Sequence, residues 1–265
     1  MGGSFGIRLC KFDCAHRMNQ TFAIIEARMT SSRLPEKVLM QAAGKPLLQI
    51  LIERLRRCQS LDGIIVATTI NATDDPIEAL CGKLGAGCFR GSEENVLERV
   101  CQTAQKFDIR QIVEITGDCP LVDPWQVDHA VGMFHSGQPS TRYLSNVSPG
   151  GNAPQGMNVQ VFKSADLLEI LSGATDELDR EHVSYGFYRE ENREKYQPVY
   201  INYTPPLNRP DIWVTLDYEE DYQLIKQIYE ELSAEKLAFT LRDVVEWVDA
   251  NPALHQKCKN LRGLE

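Results

Sequence analysis

The stretch that decides the fold reads FAIIEARMTSSRLPEKVL and occupies residues 22–39. It opens with a short apolar run and continues into a polar loop that carries Arg28, Arg33 and Lys37. An apolar run of this length that ends in polar residues predicts a buried β-strand. A Gly-Lys-Pro turn at 44–46 then leads into an amphipathic helical pattern. A basic loop directly after a buried strand indicates a site for a bound polyphosphate.

Working outward, the first half of the chain alternates strand-like and helix-like segments. Strands are predicted at residues 21–27, 63–68, 86–90 and 111–116, and helices at 46–58, 76–84, 94–107 and 124–134. Three of these helices have proline in the first turn, and Asp74, Asp75 and Asp123 stand where N-caps are expected. This alternation predicts a mostly parallel sheet covered by helices.

The second half is less regular and follows a loop rich in Gly, Pro and Asn at 148–156. Strands are predicted at 159–162, 199–203 and 212–215, and helices at 165–171, 180–190, 219–232 and 241–248. Because no linker, repeat or low-complexity tract interrupts the pattern, we expect a single three-layer α/β/α domain over residues 18–265 with a mostly parallel mixed sheet. Residues 1–17 show no periodicity, so they are predicted to be a poorly ordered N-terminal extension, with Met18 as the functional start.

Composition narrows the class of protein. The 265 residues are 43% hydrophobic, which is enough to bury a full core. A net charge of -9 argues against a general nucleic-acid binder, since phosphate contacts need a basic face. No apolar run is long enough to span a bilayer, and the N-terminus lacks the apolar core of a signal peptide, so no membrane partner and a cytoplasmic location are expected.

The eight cysteines include no Cys-x-x-Cys pair. We therefore expect free thiols in a reducing compartment. Cys10 and Cys14, with His16 nearby, are the alternative, a metal site, although no second pair completes it.

Four further segments follow the first in order: FRGS at 89–92, TGDCPL at 116–121, REHV at 180–183 and TLDYEED at 215–221. With the first segment, they resemble the cytidylyltransferases that make CMP-sugars, including those acting on 3-deoxy-manno-octulosonate and on sialic acid-like nonulosonates. The nearest resemblance is to the spore-coat polysaccharide branch, over about residues 21–232.

The resemblance implies a nucleotide-diphospho-sugar transferase-like, Rossmann-like fold and a magnesium-dependent enzyme. The implied reaction transfers CMP from CTP to the hydroxyl of an acidic sugar and releases pyrophosphate, for surface polysaccharide or glycan synthesis. Three alternatives stay open: the same fold with a phosphonate or other non-sugar acceptor, the same fold with another NTP, and a non-catalytic nucleotide-binding subunit.

Nucleotidyl transfer needs positive charge where negative charge accumulates on the phosphates. Arg33 can bind phosphate oxygens through two parallel N–H bonds, and Lys37 is a mobile point charge. The resemblance makes both catalytic, together with Asp118. Many relatives carry glycine where this chain has Glu36, which is a departure the sequence does not explain. The nucleotide-binding residues it implies are Glu26, Ala27, Arg28, Ser32, Arg33, Lys37, Arg90, Gly91 and Ser92.

Two aspartates are the predicted magnesium ligands. Asp118 follows the strand at 111–116, and ligands of open α/β sheets bind at this carboxyl end. Magnesium prefers one or two carboxylates together with phosphate oxygens and water. The resemblance adds Asp217 as the second ligand, with an N-cap of the following helix as its alternative role. Asp221 is predicted to be a first-turn helix residue.

Acceptor-binding residues are predicted at Gln155, Asn158, Glu181 and His182. Many relatives read Asp-Gly-Leu-Asp-Val-Glu where this chain reads QGMNVQ at 155–160. Amides tolerate an anionic acceptor better than carboxylates and also supply donors. The alternative for Glu181 and His182 is hydrogen bonding within the fold.

The resemblance also implies a homodimer formed through the second half of the chain. Tyr185, Phe187, Tyr188 and Tyr196 would supply aromatic area to such an interface. Their alternative place is the core.

Overall fold

The computed structural model describes residues 20–138, 140–148 and 151–263. The predicted extension at 1–17, the start at Met18 and the alternative metal site at Cys10, Cys14 and His16 lie outside these residues. Two residues of the 148–156 loop also lie outside them.

Nine β-strands form in the described part of the chain. They are β1 (Thr21–Glu26), β2 (Gln41–Ala42), β3 (Lys45–Pro46), β4 (Gly63–Thr69), β5 (Gly87–Gly91), β6 (Gln111–Thr116), β7 (Tyr143–Ser145), β8 (Gln160–Lys163) and β9 (Val199–Tyr200). Seven of them make one sheet in the order β5-β4-β1-β6-β8-β7-β9, and β2 with β3 forms a small antiparallel hairpin. Only β8 runs against its neighbours β6 and β7. The prediction of a mostly parallel mixed sheet is therefore confirmed.

Helices surround the sheet. The described residues form α1 (Leu47–Leu55), α2 (Asp75–Leu84), α3 (Val96–Lys106), α4 (Pro124–Ser136), α5 (Ser164–Gly173), α6 (Glu177–Glu181), α7 (Tyr185–Tyr188), α8 (Arg193–Tyr196), α9 (Glu219–Glu235), α10 (Leu241–Ala250) and α11 (Pro252–Leu261). Short 3-10 turns lie at Lys37–Leu39, Ala72–Asp74 and Glu190–Asn192.

The alternating apolar residues of the central strands separate two cores. Ala23 and Ile25 of β1 pack on one face with apolar residues of α1, α4, α9 and α10. Ile24 packs on the other face with residues of α3, α5 and α7. Because successive strand residues face opposite sides, this burial produces the predicted three-layer arrangement.

Two predictions for the second half are wrong. The helix at 180–190 is two short helices, α6 and α7, which are separated by residues 182–184. The strand predicted at 212–215 is an extended segment outside the sheet, and in the described residues it forms one isolated bridge, between Trp213 and Gln155. Its backbone has hydrogen bonds on both sides of that bridge, from Gln155 N to Ile212 O (2.9 Å) and from Val214 N to Gln155 O (2.8 Å). Because one bridge does not form a ladder, this segment is a connection and not a strand of the sheet.

The aromatic residues of the second half belong largely to the core. Phe187 and Tyr196 are buried, and the Phe187 ring stacks on Tyr143 with centroids 5.1 Å apart. The core is therefore the observed place of Phe187 and Tyr196, whereas Tyr185 and Tyr188 are half-buried, and the homodimer stays a prediction.

The six cysteines of the described residues are free thiols. Burial raises the pKa of Cys58 and of Cys101 to about 12, so both stay protonated at neutral pH. None of the described helices combines the length and the apolar character that a bilayer crossing requires.

Candidate active site

A cavity of about 830 Å³ lies where the carboxyl ends of β1 and β6 meet. Glu26, Ala27 and Arg28 line it from the end of β1, and Thr116 and Asp118 line it from the end of β6. This is the edge at which ligands bind in open α/β sheets.

The basic loop after β1 is fixed at its start by Asp74. The buried carboxylate of Asp74 accepts hydrogen bonds from Met29 N (2.8 Å), Thr69 N (3.1 Å) and the Thr68 hydroxyl (3.0 Å). Asp74 stands at the N-cap position of α2, as predicted, but its side chain makes no capping bond there. The aspartate instead attaches the loop to the end of β4.

Glu93 attaches the same loop to the chain after β5. Its carboxylate contacts Arg28 Nη1 at 3.4 Å and accepts hydrogen bonds from the Thr30 hydroxyl and the Asn71 amide. The FRGS segment thus precedes a residue that holds the basic loop in place.

The residue after the proline has a left-handed backbone. Glu36 adopts φ 60° and ψ 10°, donates its backbone N–H to Met29 O (2.8 Å) and exposes its side chain. Residues with a Cβ atom are disfavoured in this region, whereas glycine adopts it freely. The glycine that many relatives carry here is therefore explained by backbone geometry.

We expect Glu36→Gly to raise the free energy of unfolding by roughly 1 kcal/mol, because the left-handed strain is removed. Urea-induced unfolding would measure the change. Glu36→Ala is the matched control, since it removes the charge and keeps the Cβ atom. An equal gain from both variants would show that charge, and not backbone strain, is responsible.

The predicted cations and acids meet in this cavity. Lys37 Nζ contacts Asp118 Oδ2 at 3.0 Å, Asp217 Oδ1 at 3.3 Å and the backbone oxygen of Leu216 at 2.6 Å. Arg33 Nη2 contacts Asp217 Oδ1 at 2.6 Å. The side chains of Lys37 and Asp217 are only 12% and 15% exposed, whereas Arg33 is 53% exposed and can reach a ligand in the cavity.

Backbone contacts bring the two acids together. Gly117 donates its N–H to Glu26 O (2.8 Å), and a Cβ atom at this position would lie 2.7 Å from that oxygen, so the approach of β6 to β1 requires glycine. Leu216 N donates to Asp118 O (2.9 Å), which places Asp217 beside Asp118.

Asp221 fixes the loop that carries Asp217. Its fully buried carboxylate accepts hydrogen bonds from Asp217 N (3.0 Å) and Tyr218 N (2.9 Å) at the start of α9. Tyr218, not Asp217, is the N-cap, so the Asp217 side chain is left to contact Lys37 and Arg33. Asp221 lies in the first helical turn, as predicted.

Arg262, just after α11, completes this support. Its guanidinium contacts both carboxylate oxygens of Asp221, at 2.9 and 2.7 Å, and lies over the Trp213 ring at 4.8 Å. No local pattern indicates this contact, because Arg262 and Asp221 are far apart in the chain.

We expect Arg262→Gln to lower the free energy of unfolding by roughly 3 kcal/mol, because the buried Asp221 carboxylate would lose its cation. Urea-induced unfolding would again measure it. Arg242→Gln, on an exposed position of α10, is the control. Equal unfolding midpoints for the two variants would contradict a supporting role for Arg262.

Most of the predicted site residues line the cavity, and two groups do not. The lining includes Glu26, Ala27, Arg28, Ser32, Arg33, Lys37, Asp118, Asn158, Glu181, His182 and Asp217. The segment Arg90, Gly91 and Ser92 lies outside it, and the Arg90 guanidinium instead contacts Asp75 at 2.6 Å and Glu78 at 2.8 Å.

Gln155 and Lys45 also lie away from the cavity lining. The backbone of Gln155 pairs with the 212–214 segment. Lys45, the lysine of the Gly-Lys-Pro turn, contacts Glu53 at 2.6 Å.

Sequence reasoning missed two charged residues of the lining, Glu114 and Arg99. Glu114 is 5% exposed, and burial raises its pKa to about 8. Arg99 is 2% exposed, and burial lowers the pKa of its guanidinium. The available signals were a glutamate inside the apolar strand at 111–116 and an arginine on the apolar face of the preceding helix, α3. Burial, and then the neighbouring Glu114, raise the pKa of Glu26 as well.

Comparison with known proteins identifies the family. A family model described as cytidylyltransferase matches residues 22–243. The spore coat polysaccharide biosynthesis protein SpsF of Bacillus subtilis (strain 168) is 32% identical over 241 residues, which cover 89% of this chain and 96% of that protein. The 3-deoxy-manno-octulosonate cytidylyltransferase of Geobacter metallireducens is 32% identical over a shorter match of 109 residues, covering 41% of this chain and 42% of that protein.

A solved structure of a cytidylyltransferase is also similar to this chain. The structure of a cytidylyltransferase from Leptospira borgpetersenii superposes with a TM-score of 0.82 at 29% identity and covers 90% of this chain and 97% of that one. With the family model spanning most of the described residues, the chain belongs to the cytidylyltransferase family.

Proposed function

We propose that this protein is a magnesium-dependent cytidylyltransferase that transfers CMP from CTP to a hydroxyl of an acidic sugar and releases pyrophosphate. The CMP-sugar would then serve surface polysaccharide or glycan synthesis. Membership of the family supplies the transfer of CMP from CTP. The observation that carries the site assignment is the meeting of Arg33, Lys37, Asp118 and Asp217 in one cavity.

The cations of the basic loop would bind the triphosphate. Arg33 uses one nitrogen to contact Asp217, so its other N–H groups are available to phosphate oxygens. Lys37, held between the two acids, would place positive charge beside the departing pyrophosphate. The acceptor oxygen would attack the α-phosphorus in line, forming one P–O bond as the bond to the bridging oxygen of pyrophosphate breaks.

The two aspartates fit a magnesium site. Asp118 Oδ2 and Asp217 Oδ1 contact the Lys37 ammonium at 3.0 and 3.3 Å, so the two carboxylates lie close together, and each keeps a second oxygen for a metal ion beside that ammonium. Two carboxylates with phosphate oxygens from a nucleotide are a typical magnesium donor set. Bound there, the ion would neutralise charge on the triphosphate and orient it.

Support for an acidic acceptor comes from the cavity and from the relatives. Arg28 and His182 line the cavity in addition to the triphosphate-binding cations, and Asn158 and Gln160 present amides where carboxylates would repel an anion. The names of relatives matched over part of the chain specify 3-deoxy-manno-octulosonate.

The test is pyrophosphate release from CTP, UTP, GTP and ATP, each with a panel of acceptors. The panel contains 3-deoxy-manno-octulosonate, N-acetylneuraminate, neutral hexoses and a hydroxyalkyl phosphonate. We expect release only with CTP, only with the sugar acids, and only when magnesium is present.

Each other outcome would support one of the alternative functions. Release with the phosphonate alone would replace the acceptor class, and release from another NTP would replace the nucleotide. CTP binding without release for any acceptor would support a non-catalytic subunit.

A further inference from the structure

Several buried polar atoms at the inner wall of the cavity have no hydrogen-bond partner among the described residues. They are Glu26 Oε1 and Oε2, Glu114 Oε2, Arg99 Nε and Asn158 Oδ1. A buried polar atom without a partner destabilises a protein by about 1–3 kcal/mol, so a group of them in one cavity indicates a ligand that satisfies them.

Three of these residues share one side of the sheet. Glu114 pairs in register with Ile24 of β1, so Glu26, two residues further along, faces the same side. Arg99 comes from α3, which packs on that side. We call Glu26, Arg99 and Glu114 the inner cluster.

We propose that the inner cluster is the acceptor subsite for the neutral, hydroxyl-bearing part of the sugar, and that the acceptor carboxylate lies outside it. The inference rests on the proposed function and narrows its acceptor. A hydroxyl both donates and accepts hydrogen bonds, so a polyol can donate to the Glu26 and Glu114 oxygens and accept from Arg99.

Charged ligand groups fit the inner cluster poorly. A carboxylate has no donor for the oxygens of Glu26 and Glu114 and would be repelled by any negative charge there. An ammonium has no acceptor for Arg99 and would meet its positive charge. Burial raises the pKa of Glu114 to about 8 and raises the pKa of Glu26 as well, so a protonated acid of the cluster offers its O–H to a sugar hydroxyl while the remaining oxygens accept from one.

The same arrangement accounts for an amide that departs from the pattern of relatives. Gln160 lies directly opposite Glu114 in the antiparallel pair of β6 and β8. Its Oε1 accepts hydrogen bonds from Ser184 Oγ (2.5 Å) and from the Tyr143 hydroxyl. A carboxylate at 160 would place a second acid directly opposite Glu114, and the two could not both ionise without destabilising repulsion. The neutral amide of Gln160 is therefore compatible with a buried acid at 114.

The test measures binding of sugar probes by calorimetry with α,β-methylene-CTP and magnesium present, so that no turnover occurs. The probes are N-acetylneuraminate and 3-deoxy-manno-octulosonate, each as the acid and as its neutral C1 carboxamide. The variants are Glu114→Ala and the isosteric Glu114→Gln. Glu94→Gln, an exposed residue outside the cavity lining, is the control.

We expect Glu114→Ala to raise the Kd of a sugar acid and of its carboxamide by the same factor, about tenfold, because the lost contact is to hydroxyls that both probes carry. Glu114→Gln should weaken them less, since its amide oxygen still accepts a hydrogen bond. The Kd of the CTP analogue should stay within about twofold in all variants.

Three results would overturn the proposal. If Glu114→Ala bound the sugar acid more tightly than the wild type and bound the carboxamide equally, the acceptor carboxylate would lie at the inner cluster. Equal loss of nucleotide affinity would assign the cluster to CTP. Binding of the nucleotide with no hydroxylated probe binding to the wild type would exclude a polyol subsite. Failure of the CTP analogue itself to bind would instead refute the proposed function.

Discussion

Replacing Asp118 with asparagine is expected to reduce CMP transfer by about 1,000-fold or more, which corresponds to roughly 4 kcal/mol of transition-state stabilisation. The proposed magnesium site would lose one of its two carboxylates, and Lys37 would lose its 3.0 Å contact. Steady-state pyrophosphate release measures the loss, and circular dichroism checks that the fold is kept. Because the asparagine is isosteric and the residue is part-exposed, we expect an unchanged unfolding midpoint.

A second readout does not depend on turnover. In the wild type, magnesium should tighten binding of α,β-methylene-CTP, and in Asp118→Asn this dependence should be largely lost. Asp249→Asn, which affects only an exposed ion pair with Arg209, is the control. Near-normal turnover in Asp118→Asn, or an unchanged magnesium dependence, would defeat the assignment of Asp118.

Replacing Lys37 with methionine is expected to reduce turnover by about 100- to 1,000-fold. Methionine keeps much of the length of the side chain and removes the only charge that contacts Asp118, Asp217 and Leu216 O together in the described residues. The loss should appear in kcat as well as in the KM for CTP, because the charge stabilises the departing pyrophosphate and also holds the two acid loops.

Lys45→Met is the matched control for Lys37→Met. Lys45 comes from the same basic region of the sequence, but its ammonium contacts Glu53 outside the cavity lining. We expect it to retain activity within about twofold, since an exposed ion pair contributes little. Equal losses in the two lysine variants would show that general charge, and not position, matters.

Local patterns in the sequence were enough to predict the layered sheet and the loops at its edge. The apolar runs at β1, β4 and β6 are separated by helical patterns with proline and aspartate at their starts, and such signals depend on near neighbours in the chain. For the same reason, Arg33, Lys37 and Asp118 could be proposed early, because each follows a buried strand whose carboxyl end must lie at the ligand edge.

Other features had no local signal. Arginine is a residue type that commonly binds phosphate, yet Arg90 contacts Asp75 and Glu78 and does not line the cavity. The 180–190 segment was predicted as one helix but divides at residues 182–184, where His182 comes to line the cavity. Both outcomes depend on which surface of the sheet the segment meets.

By itself, the sequence determined the order of the main strands and helices in the first half of the chain and the basic character of the first loop. Only the tertiary structure decided that Asp217 joins Asp118, because Leu216 binds the backbone of residue 118 across about a hundred residues of chain. It likewise placed Glu26, Glu114 and Arg99 on one side of the sheet. Such contacts follow from strand pairing and helix packing between distant segments, which periodicity within one segment does not specify.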